Sequence, residues 1–275
     1  MNWFESIVYA FIAGISEFLP VSSHAHQSIM RQLFGISEST VVLDFLIHFA
    51  ILLSLLYLLQ NQIRAIRITQ KLMRIPAKRR KRQPDKEVAA KFRLVRSAAL
   101  PVLIFTVFFF LANEVAARLQ IMAICLLLNG IALYSVIHIR SGDKTAAQMN
   151  SVDGMLIGFV SGVGIIPGFS RVGLSLSISH MRGAGAKDAV DWALLISIPA
   201  LIGLCITDLV VMFSSGIGNF TFIMLLQYIV SAFVAYIGSH FSISLLRFLA
   251  QRNGFSWFSF YCWGLALFSF ILFML

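Results

Sequence analysis

The sequence contains little charge. Asp, Glu, Lys and Arg together make up 12% of its 275 residues, whereas a soluble domain contains roughly 25%. Apolar residues make up 59%, and the mean hydropathy is +0.85. This composition excludes a water-soluble fold, because too few polar side chains remain to cover a surface in water. It indicates a chain whose main solvent is the lipid bilayer.

Cysteine is also scarce, and the N-terminus lacks the features of a signal peptide. The three cysteines, Cys125, Cys205 and Cys262, lie far apart in apolar segments. This excludes a disulfide framework or a cysteine metal cluster and favours their interpretation as small apolar residues. The apolar start of the chain has no preceding basic segment and runs into Glu17 and Pro20. We therefore expect no cleavable signal peptide.

Acidic residues are too few to balance the 22 Lys and Arg residues, so the formal net charge is +10. The excess lies in one segment, 61–96, which has 13 basic and 2 acidic residues and a net charge of +11; the rest of the chain has −1. Because this segment connects two apolar stretches, we interpret it as a cytoplasmic loop that orients the protein. Attraction to anionic head groups is a second role for it. Nucleic acid is not expected as a partner.

Six apolar segments approach the roughly 20 residues that a membrane-crossing helix needs. They are 41–60, 97–112, 119–138, 190–212, 221–249 and 255–275. Two further apolar stretches, 3–34 and 151–181, are interrupted by polar residues, Gly and Pro. Irregular backbone at membrane depth survives only inside protein or beside a wet cavity, so we expect re-entrant hairpins there. The predicted fold is an all-α polytopic membrane protein with about six transmembrane helices and two re-entrant helical hairpins.

The two interrupted stretches resemble each other at an offset of 148 residues. The matching pairs are Phe11 and Phe159, Gly14 and Gly162, Ser22 and Ser170, and Gly35 and Gly183. Each hairpin is followed by three crossings, and an odd number of crossings inverts the second half relative to the first. We therefore expect an inverted-topology repeat of residues 1–140 and 141–275, whose hairpins meet near the midplane. With 61–96 in the cytoplasm, the first hairpin enters from the outside and the second from the cytoplasm.

The first hairpin carries a dense polar motif. It reads Gly14-Ile15-Ser16-Glu17-Phe18-Leu19-Pro20-Val21-Ser22-Ser23-His24-Ala25-His26. Its carboxylate, hydroxyls and imidazoles are candidates for acid or base, nucleophile and metal ligand. A serine after the proline can cap the next helix and leave backbone N–H groups as an anion site. We expect catalytic roles for Glu17, Ser23 and His26, and substrate binding by Ser22 and His24.

The second hairpin carries a matching motif. It reads Gly164-Ile165-Ile166-Pro167-Gly168-Phe169-Ser170-Arg171-Val172-Gly173-Leu174-Ser175. An arginine at membrane depth is costly unless it meets an anion, and Gly-rich backbone beside Ser hydroxyls suits phosphate. We expect Arg171 to be catalytic, and Gly168, Ser170, Gly173 and Ser175 to bind substrate.

Structural roles are the alternatives for these residues. Arg171 and Glu17 would then form an internal ion pair that only holds the hairpins together. Ser23 would be only a helix cap, Ser175 would make only a helix–helix hydrogen bond, and His26 would be a satisfied polar residue. Four other histidines stand alone among apolar neighbours and are left out of the predicted site: His48, His138, His180 and His240.

The combined chemistry of the two motifs suits hydrolysis or transfer of a phosphoryl group. Phosphate oxygens gain negative charge during such reactions, and Arg and N–H donors stabilise it. Glu17 is the only acidic residue in either motif, so we do not expect a metal site built from protein alone. The expected cofactor is a divalent cation, Mg²⁺ or Ca²⁺, held partly by the substrate's phosphates, with Glu17 as a weak ligand.

At these motifs the sequence resembles the undecaprenyl-pyrophosphate phosphatase family, also called bacitracin-resistance proteins. The resemblance is carried by Glu17-Phe18-Leu19-Pro20-Val21-Ser22-Ser23 followed by His26, and by Pro167-Gly168-Phe169-Ser170-Arg171. Matching size and hydropathy extend it over nearly the whole chain. It implies removal of the terminal phosphate from a C55 isoprenyl pyrophosphate. This reaction recycles the lipid carrier for cell-wall synthesis at the outer side of a bacterial inner membrane.

The resemblance also implies roles for individual residues. Glu17 is the expected acid/base or metal-contacting group, and Arg171 the pyrophosphate clamp. Ser23 or His26 is the expected nucleophile or its activator. Ser170 and Ser175 would assist.

Four departures from the family pattern cluster near the motifs. Relatives usually carry a carboxylate or amide four residues before Glu17, a Thr-Gly before the His, a Ser-Gly after the Arg, and an Arg after the Tyr of the last helix. This chain has Ala13, His24-Ala25, Val172-Gly173 and Cys262 at those positions. We expect an active enzyme in which His24 takes over part of the missing role. The alternatives are a lipid-phosphate transporter or flippase, and an inactive relative that binds without hydrolysis. A homodimer is left open.

Overall fold

The computed structural model describes residues 1–36, 39–116, 118–138, 142–216, 220–250 and 255–274. Side chains are described for the same residues except 107–116, 137, 138, 215 and 256. The described residues form eleven α-helices. These are α1 (Trp3–Glu17), α2 (Ser23–Leu33), α3 (Val41–Leu58), α4 (Gln60–Arg74), α5 (Lys86–Ala116), α6 (Leu119–His138), α7 (Ser151–Val163), α8 (Arg171–Met181), α9 (Ala186–Ser215), α10 (Phe222–Ala250) and α11 (Ser256–Met274).

Five helices in the described ranges are long and apolar enough to cross a bilayer. Their apolar parts are Val41–Leu58, Leu119–Val136, Ala186–Ser214, Phe222–Ala250 and Trp257–Met274. The prediction of an all-α polytopic membrane protein is confirmed. The sixth predicted span, 97–112, lies within α5, which starts at Lys86 and continues through Pro101. The side chains of its residues 107–112 lie outside the described part of the chain.

Both predicted hairpins are present as pairs of short helices. The first consists of α1 and α2, with 15 and 11 residues, and the second of α7 and α8, with 13 and 11 residues. At 1.5 Å per residue these arms are about 16 to 22 Å long, shorter than a hydrocarbon layer of about 30 Å. Each second arm packs back against the first. The hairpins are therefore too short to cross and fit re-entrant segments.

The two hairpins begin with the same capping box. The Asn2 side chain accepts a hydrogen bond from the Glu5 N–H, and the Glu5 carboxylate accepts one from the Asn2 N–H. Asn150 and Asp153 make the same pair of hydrogen bonds at the start of α7. Each box satisfies helix N–H groups that have no partner within the helix. Because 150 − 2 and 153 − 5 both equal 148, the boxes add two pairs to the offset of the predicted repeat.

The packing of the helices repeats between the two halves. Helix α1 packs on α10, and its counterpart α7 packs on α5. In the same way α3 packs on α10, and its counterpart α9 packs on α5. The contacts of α3 with α9 and of α6 with α11 each join two counterparts. Exchanging each helix for its counterpart in the other half reproduces this set of pairs. A pseudo-twofold axis between inverted halves produces such a pattern. The domain boundary at 140 stays a prediction.

Small residues allow the first arms to approach their neighbours closely. A Cβ on Gly14 of α1 would overlap the backbone of Ala235 in α10, and a Cβ on Gly158 of α7 would overlap the backbone of Ala98 in α5. Such small-residue contacts are typical of helices packed inside membranes. They hold both hairpins firmly against long helices.

The basic segment 61–96 is largely helical, although its charge suggested a loop. Helix α4 follows α3 directly at Leu59 and carries basic residues on its exposed side, while Ile63 and Ile66 pack against the core. Apolar residues at this spacing form one face of a helix. Lys91, at the start of α5, forms an ion pair of 3.3 Å with Asp191 of α9. The basic end of the molecule is therefore attached to the first turns of α9.

Candidate functional site

The tips of the two hairpins meet and are cross-linked by hydrogen bonds. The Gly168 N–H donates to Ser22 Oγ at 3.0 Å, and Ser170 Oγ donates to the carbonyl oxygen of Leu19 at 3.2 Å. Ser22 caps α2 and Ser170 caps α8. The two helix N-termini therefore start at this crossing, where their N–H groups and partial positive charge favour an anion.

Both tips have unusual backbone conformations. Gly168 has φ +100°, which glycine adopts without penalty. Ser22 has φ 66° and ψ 96°, and it is the non-glycine residue with positive φ in the described chain. Such a conformation is costly for a residue with a side chain and persists only where its surroundings enforce it. The bond from Gly168 to the Ser22 hydroxyl is one such constraint.

Asn129 of α6 connects the two tips. Its Nδ2 donates to the Pro20 carbonyl oxygen at 3.1 Å, and its Oδ1 accepts from the Ser170 N–H at 3.0 Å. Cys262 of α11 lies 3.3 Å from Asn129 Nδ2 and donates to the same carbonyl oxygen at 3.6 Å. Asn129 is fully buried. Sequence analysis missed this residue, although a lone amide in an apolar span is a recognisable signal.

Glu17 and Arg171 form a buried ion pair between the hairpins. Arg171 Nη2 contacts Glu17 Oε1, and the side chains are 6% and 1% exposed. Glu17 ends α1 and Arg171 begins α8, so each charge has the unfavourable sign for its own helix dipole. The stability of the individual helices therefore does not explain their placement. The structure does form the ion pair that was the structural alternative for these residues.

The Glu17–Arg171 pair does not use all the hydrogen-bond donors of the arginine. Arg171 Nη1 is buried and has no hydrogen-bond partner among the described residues. The same holds for the hydroxyl of Ser175, which lies one turn further along α8 and is 1% exposed. Buried polar atoms are nearly always paired in proteins. Two unpaired donors close to the tips therefore indicate a place for a ligand with acceptor oxygens.

Ser23 and His26 have different hydrogen-bond partners. Ser23 Oγ donates to the Ala13 carbonyl oxygen at 3.2 Å and accepts from Gln27 Nε2 at 3.0 Å. His26 Nδ1 donates to the Ser22 carbonyl oxygen at 2.8 Å, which leaves Nε2 to accept from the Tyr261 hydroxyl at 2.7 Å. Within the described chain Ser23 and His26 share no hydrogen bond. They therefore do not form a nucleophile–base pair here.

A polar cavity of about 310 Å³ opens beside the tips, between α2, α3 and α9. Its polar lining comprises His24, Gln27, Ser28, Arg31, Ser39, Thr40, Asp44, His48, Thr207 and Asp208, and Pro167 is also part of it. Arg31 Nη2 lies 2.6 Å from Asp44 Oδ2. His48 Nδ1 lies 2.7 Å from Asp208 Oδ2. Of the predicted site residues, His24 faces this cavity.

A second, apolar groove of about 700 Å³ lies between α2 and α11. Its walls include Ile12, Ile15, Leu19, Val21, Ile29, Met30, Leu33, Trp257, Phe258, Leu265 and Phe268. His26 and Tyr261 line it as a stacked pair with ring centroids 5.7 Å apart. His24 and His26 are two positions apart, about 200° around a helix, so they face different spaces.

The structure thus brings together most of the predicted site and adds residues to it. Glu17, Ser22, Gly168, Ser170 and Arg171 meet at the crossing, where the Gly173 N–H also donates to Ser170 Oγ at 3.1 Å. The additions are Asn129 at the tips and Gln27, Arg31, Asp44, His48 and Asp208 at the polar cavity. Charged residues inside apolar spans are a usable signal of function. His48, which was left out, has an acidic partner 160 residues away, and no local pattern reveals it.

The sequence is similar to known proteins over nearly its whole length. The sequence model of the family described as bacitracin resistance protein BacA matches residues 6–268. A protein of Carboxydothermus hydrogenoformans named undecaprenyl-diphosphatase is 27% identical over 267 residues, which are 96% of this chain and 94% of that protein. Proteins with the same name from Alkaliphilus metalliredigens and Halothermothrix orenii are 28% and 26% identical, and each match covers 96% of this chain. The match covers 96% of the Alkaliphilus protein and 95% of the Halothermothrix protein.

Proposed function

This chain belongs to the bacitracin resistance protein BacA family, and on that premise we propose that it is an undecaprenyl-diphosphatase. It hydrolyses undecaprenyl pyrophosphate to the monophosphate and inorganic phosphate, which recycles the lipid carrier of cell-wall synthesis. The names of its relatives support this activity. The observation that carries the proposal is the crossing of the hairpins, where Arg171 Nη1 and Ser175 Oγ are buried with no partner in the described structure.

The pyrophosphate binds at this crossing. The N-termini of α2 and α8 and the Arg171 guanidinium supply positive potential and donors for phosphate oxygens. Ser170, Gly173 and Ser175 of the second hairpin assist, as do Ser22 and His24 of the first. Negative charge that develops on the phosphate oxygens as the P–O bond breaks is stabilised by Arg171.

Glu17 changes its environment when phosphate arrives. Phosphate oxygens compete with the Glu17 carboxylate for Arg171, and a carboxylate that loses a cationic partner in a buried site becomes a better proton acceptor. This supports the acid/base role proposed for Glu17. Ser23 and His26 remain proposed participants, Ser23 beside the Ala13 carbonyl and His26 at the apolar groove.

The isoprenyl chain lies in the apolar groove between α2 and α11. The groove is lined mainly by Ile, Leu, Met, Phe and Trp side chains, which favour a hydrocarbon chain. His26 connects the groove to the tips, since it is hydrogen-bonded to the Ser22 carbonyl oxygen, and it stacks on Tyr261 in the groove. A lipid in this groove therefore has its head directed toward the crossing.

We also propose a divalent cation, Mg²⁺ or Ca²⁺, as cofactor. In the described residues no group of three or more His, Cys, Asp or Glu side chains is arranged to hold a metal ion, so a cage built from protein alone does not fit. Glu17 does fit as a single carboxylate ligand, because its Oε2 accepts no hydrogen bond from the described chain. The substrate's phosphates would supply other ligands, and the cation would neutralise phosphate charge.

We place the protein in the bacterial inner membrane with its site facing outward. Helix α3 carries Asp44 and His48 in its first half and leads into the basic helix α4 at its end. The polar cavity therefore lies at the opposite end of the spans from α4. With the basic segment 61–96 in the cytoplasm, the cavity opens toward the outer side.

Phosphate release from a C15 isoprenyl pyrophosphate tests the proposed function. The purified protein should release phosphate from the pyrophosphate and not from C15 isoprenyl monophosphate, in the presence of Mg²⁺ or Ca²⁺. Arg171→Lys should reduce the rate at least about 100-fold, because Lys lacks the bidentate fork. The matched control Arg182→Lys, at the exposed end of α8, should not.

A lipid-phosphate transporter is the second candidate, because helix packing that repeats between inverted halves also suits alternating access. Movement of intact lipid pyrophosphate across proteoliposome membranes without phosphate release would support a transporter and contradict the phosphatase. Absence of both activities would indicate a relative that binds lipid phosphate only.

A further inference from the structure

His48 and Asp208 form a polar pair at the wall of the polar cavity. His48 Nδ1 lies 2.7 Å from Asp208 Oδ2, and the side chains are 5% and 14% exposed. Because a carboxylate only accepts, Nδ1 carries a proton, and Nε2 is an acceptor in the neutral ring. Nε2 is buried and has no hydrogen-bond partner in the described part of the chain. An unpaired buried atom at the wall of a cavity points to a ligand there.

The cavity that His48 lines borders the tips of both hairpins. Its lining includes His24, which follows the Ser22–Ser23 tip, and Pro167, which precedes the Gly168 tip. Gly168 itself is bonded to Ser22. A phosphate held at the crossing therefore lies beside the cavity that His48 lines.

Other candidate bases are engaged elsewhere. The Ser23 hydroxyl donates to a backbone carbonyl and accepts from an amide, and neither partner takes up protons near neutral pH. Both ring nitrogens of His26 are hydrogen-bonded, and the ring lies in the apolar groove. Glu17 is paired with Arg171. His48 Nε2 therefore offers a buried acceptor that lies outside the two hairpins.

Charged and titratable groups from three helices face His48. His24 of α2 has its ring centroid 6.1 Å away, and Arg31 of the same helix lies in the same cavity. Asp44 of α3 pairs with Arg31 at 2.6 Å, so these two charges offset each other. Asp208 of α9 remains as the direct partner of His48. The carboxylate stabilises a proton on the ring once the ring has taken it up.

We propose that His48 is the general base of the hydrolysis and that Asp208 is the residue that positions it; this inference rests on the proposed function. A water molecule attacks the terminal phosphorus and passes a proton to His48 Nε2. The new P–O bond forms as the bond from phosphorus to the bridging oxygen breaks, and its electron pair leaves with the lipid monophosphate. Inorganic phosphate departs, and the proton returns from His48 to the products or to water.

The test compares His48→Gln with His240→Gln in the full-length protein. His240 lies on α10, where its ring faces Tyr57 at 6.4 Å, so it serves as a matched control away from the cavity. With C15 isoprenyl pyrophosphate, His48→Gln should lower kcat for phosphate release at least about 100-fold, with KM changed less than about threefold. The wild-type rate should fall toward acidic pH as the base becomes protonated, and this limb should disappear from the residual activity of His48→Gln.

A second variant distinguishes a loss of catalysis from a loss of the fold. Asp208→Asn retains the imidazole and the shape of its partner, and should lower kcat at least about tenfold by removing the charge that orients the ring. A His48→Gln rate within about threefold of wild type, in protein that unfolds at the wild-type temperature, would overturn the role of His48 and leave the phosphatase intact. Wild-type protein that releases no phosphate would overturn the proposed function itself, and this role with it.

Discussion

The buried pair of Glu17 and Arg171 offers a test that separates a structural clamp from a catalytic site. Three variants are compared: Arg171→Met, Glu17→Leu and the double variant. Each single variant leaves one buried charge without its partner, because the side chains are only 6% and 1% exposed. The double variant removes both charges and fills similar volume with apolar atoms.

The magnitudes follow from the cost of an uncompensated charge. Breaking a buried ion pair by removing one partner costs about 3–5 kcal/mol, whereas replacing both partners by apolar side chains is often neutral or stabilising. Glu17 Oε2 and Arg171 Nη1 have no other partner within the described chain to soften that cost. We therefore expect each single variant to lose about 3 kcal/mol or more in the free energy of unfolding. The double variant should recover most of that loss.

Activity discriminates between the two roles. Unfolding in sodium dodecyl sulfate, followed by fluorescence of the four tryptophans, gives stability, and phosphate release from C15 isoprenyl pyrophosphate gives activity. If Arg171 binds phosphate, the double variant is stable and inactive. A double variant with wild-type activity would refute the role of the pair in catalysis. Arg182→Met is the control, since the Arg182 side chain is 44% exposed. Its partner Asp153 keeps a hydrogen bond from the Asn150 N–H, and the expected loss is below about 1 kcal/mol.

Two further predictions concern the geometry of the tips. Gly168→Ala should abolish phosphate release and destabilise the protein, because Gly168 has positive φ and a Cβ would overlap the Met122 carbonyl oxygen. Gly35→Ala, also at positive φ but with nothing within 4 Å of the new Cβ, should cost only about 1–2 kcal/mol in unfolding free energy; equal effects of both would contradict the packing described. Asn129→Ala should lower that free energy by about 2–4 kcal/mol, because the buried Ser170 N–H loses its partner and the Pro20 carbonyl keeps only the weak Cys262 thiol donor. An unfolding midpoint like that of wild type would show that the tips do not depend on this amide.

The hairpins could be predicted because their signals are local. Pro, Gly and charge interrupt apolar stretches at 3–34 and 151–181, and a bilayer permits few structures for such a pattern. The offset of 148 residues then predicted that the tips meet, as the bond from Gly168 to Ser22 shows. Helix α4 was missed because the basic charge of 61–96 outweighed the apolar spacing of Ile63 and Ile66.

The residues that sequence analysis missed depend on packing between distant helices. His48 and Asp208 are 160 residues apart, and they meet only because α3 packs on α9. The different surroundings of His24 and His26 depend on where α2 begins, which the cap at Ser22 decides. A sequence motif contains both histidines without revealing which one faces the polar cavity.

Ala13 limits the number of carboxylates that the first motif offers for proton transfer. The Ala13 side chain is a buried methyl group in the apolar core, and the Ala13 carbonyl oxygen accepts the Ser23 hydroxyl. The first motif, Gly14 to His26, therefore supplies one carboxylate, and Arg171 contacts that carboxylate. A reaction that takes a proton from water still needs an acceptor. We propose that His48 at the cavity wall is this acceptor, so that the hairpins bind the phosphate while α3 and α9 supply the base and its partner.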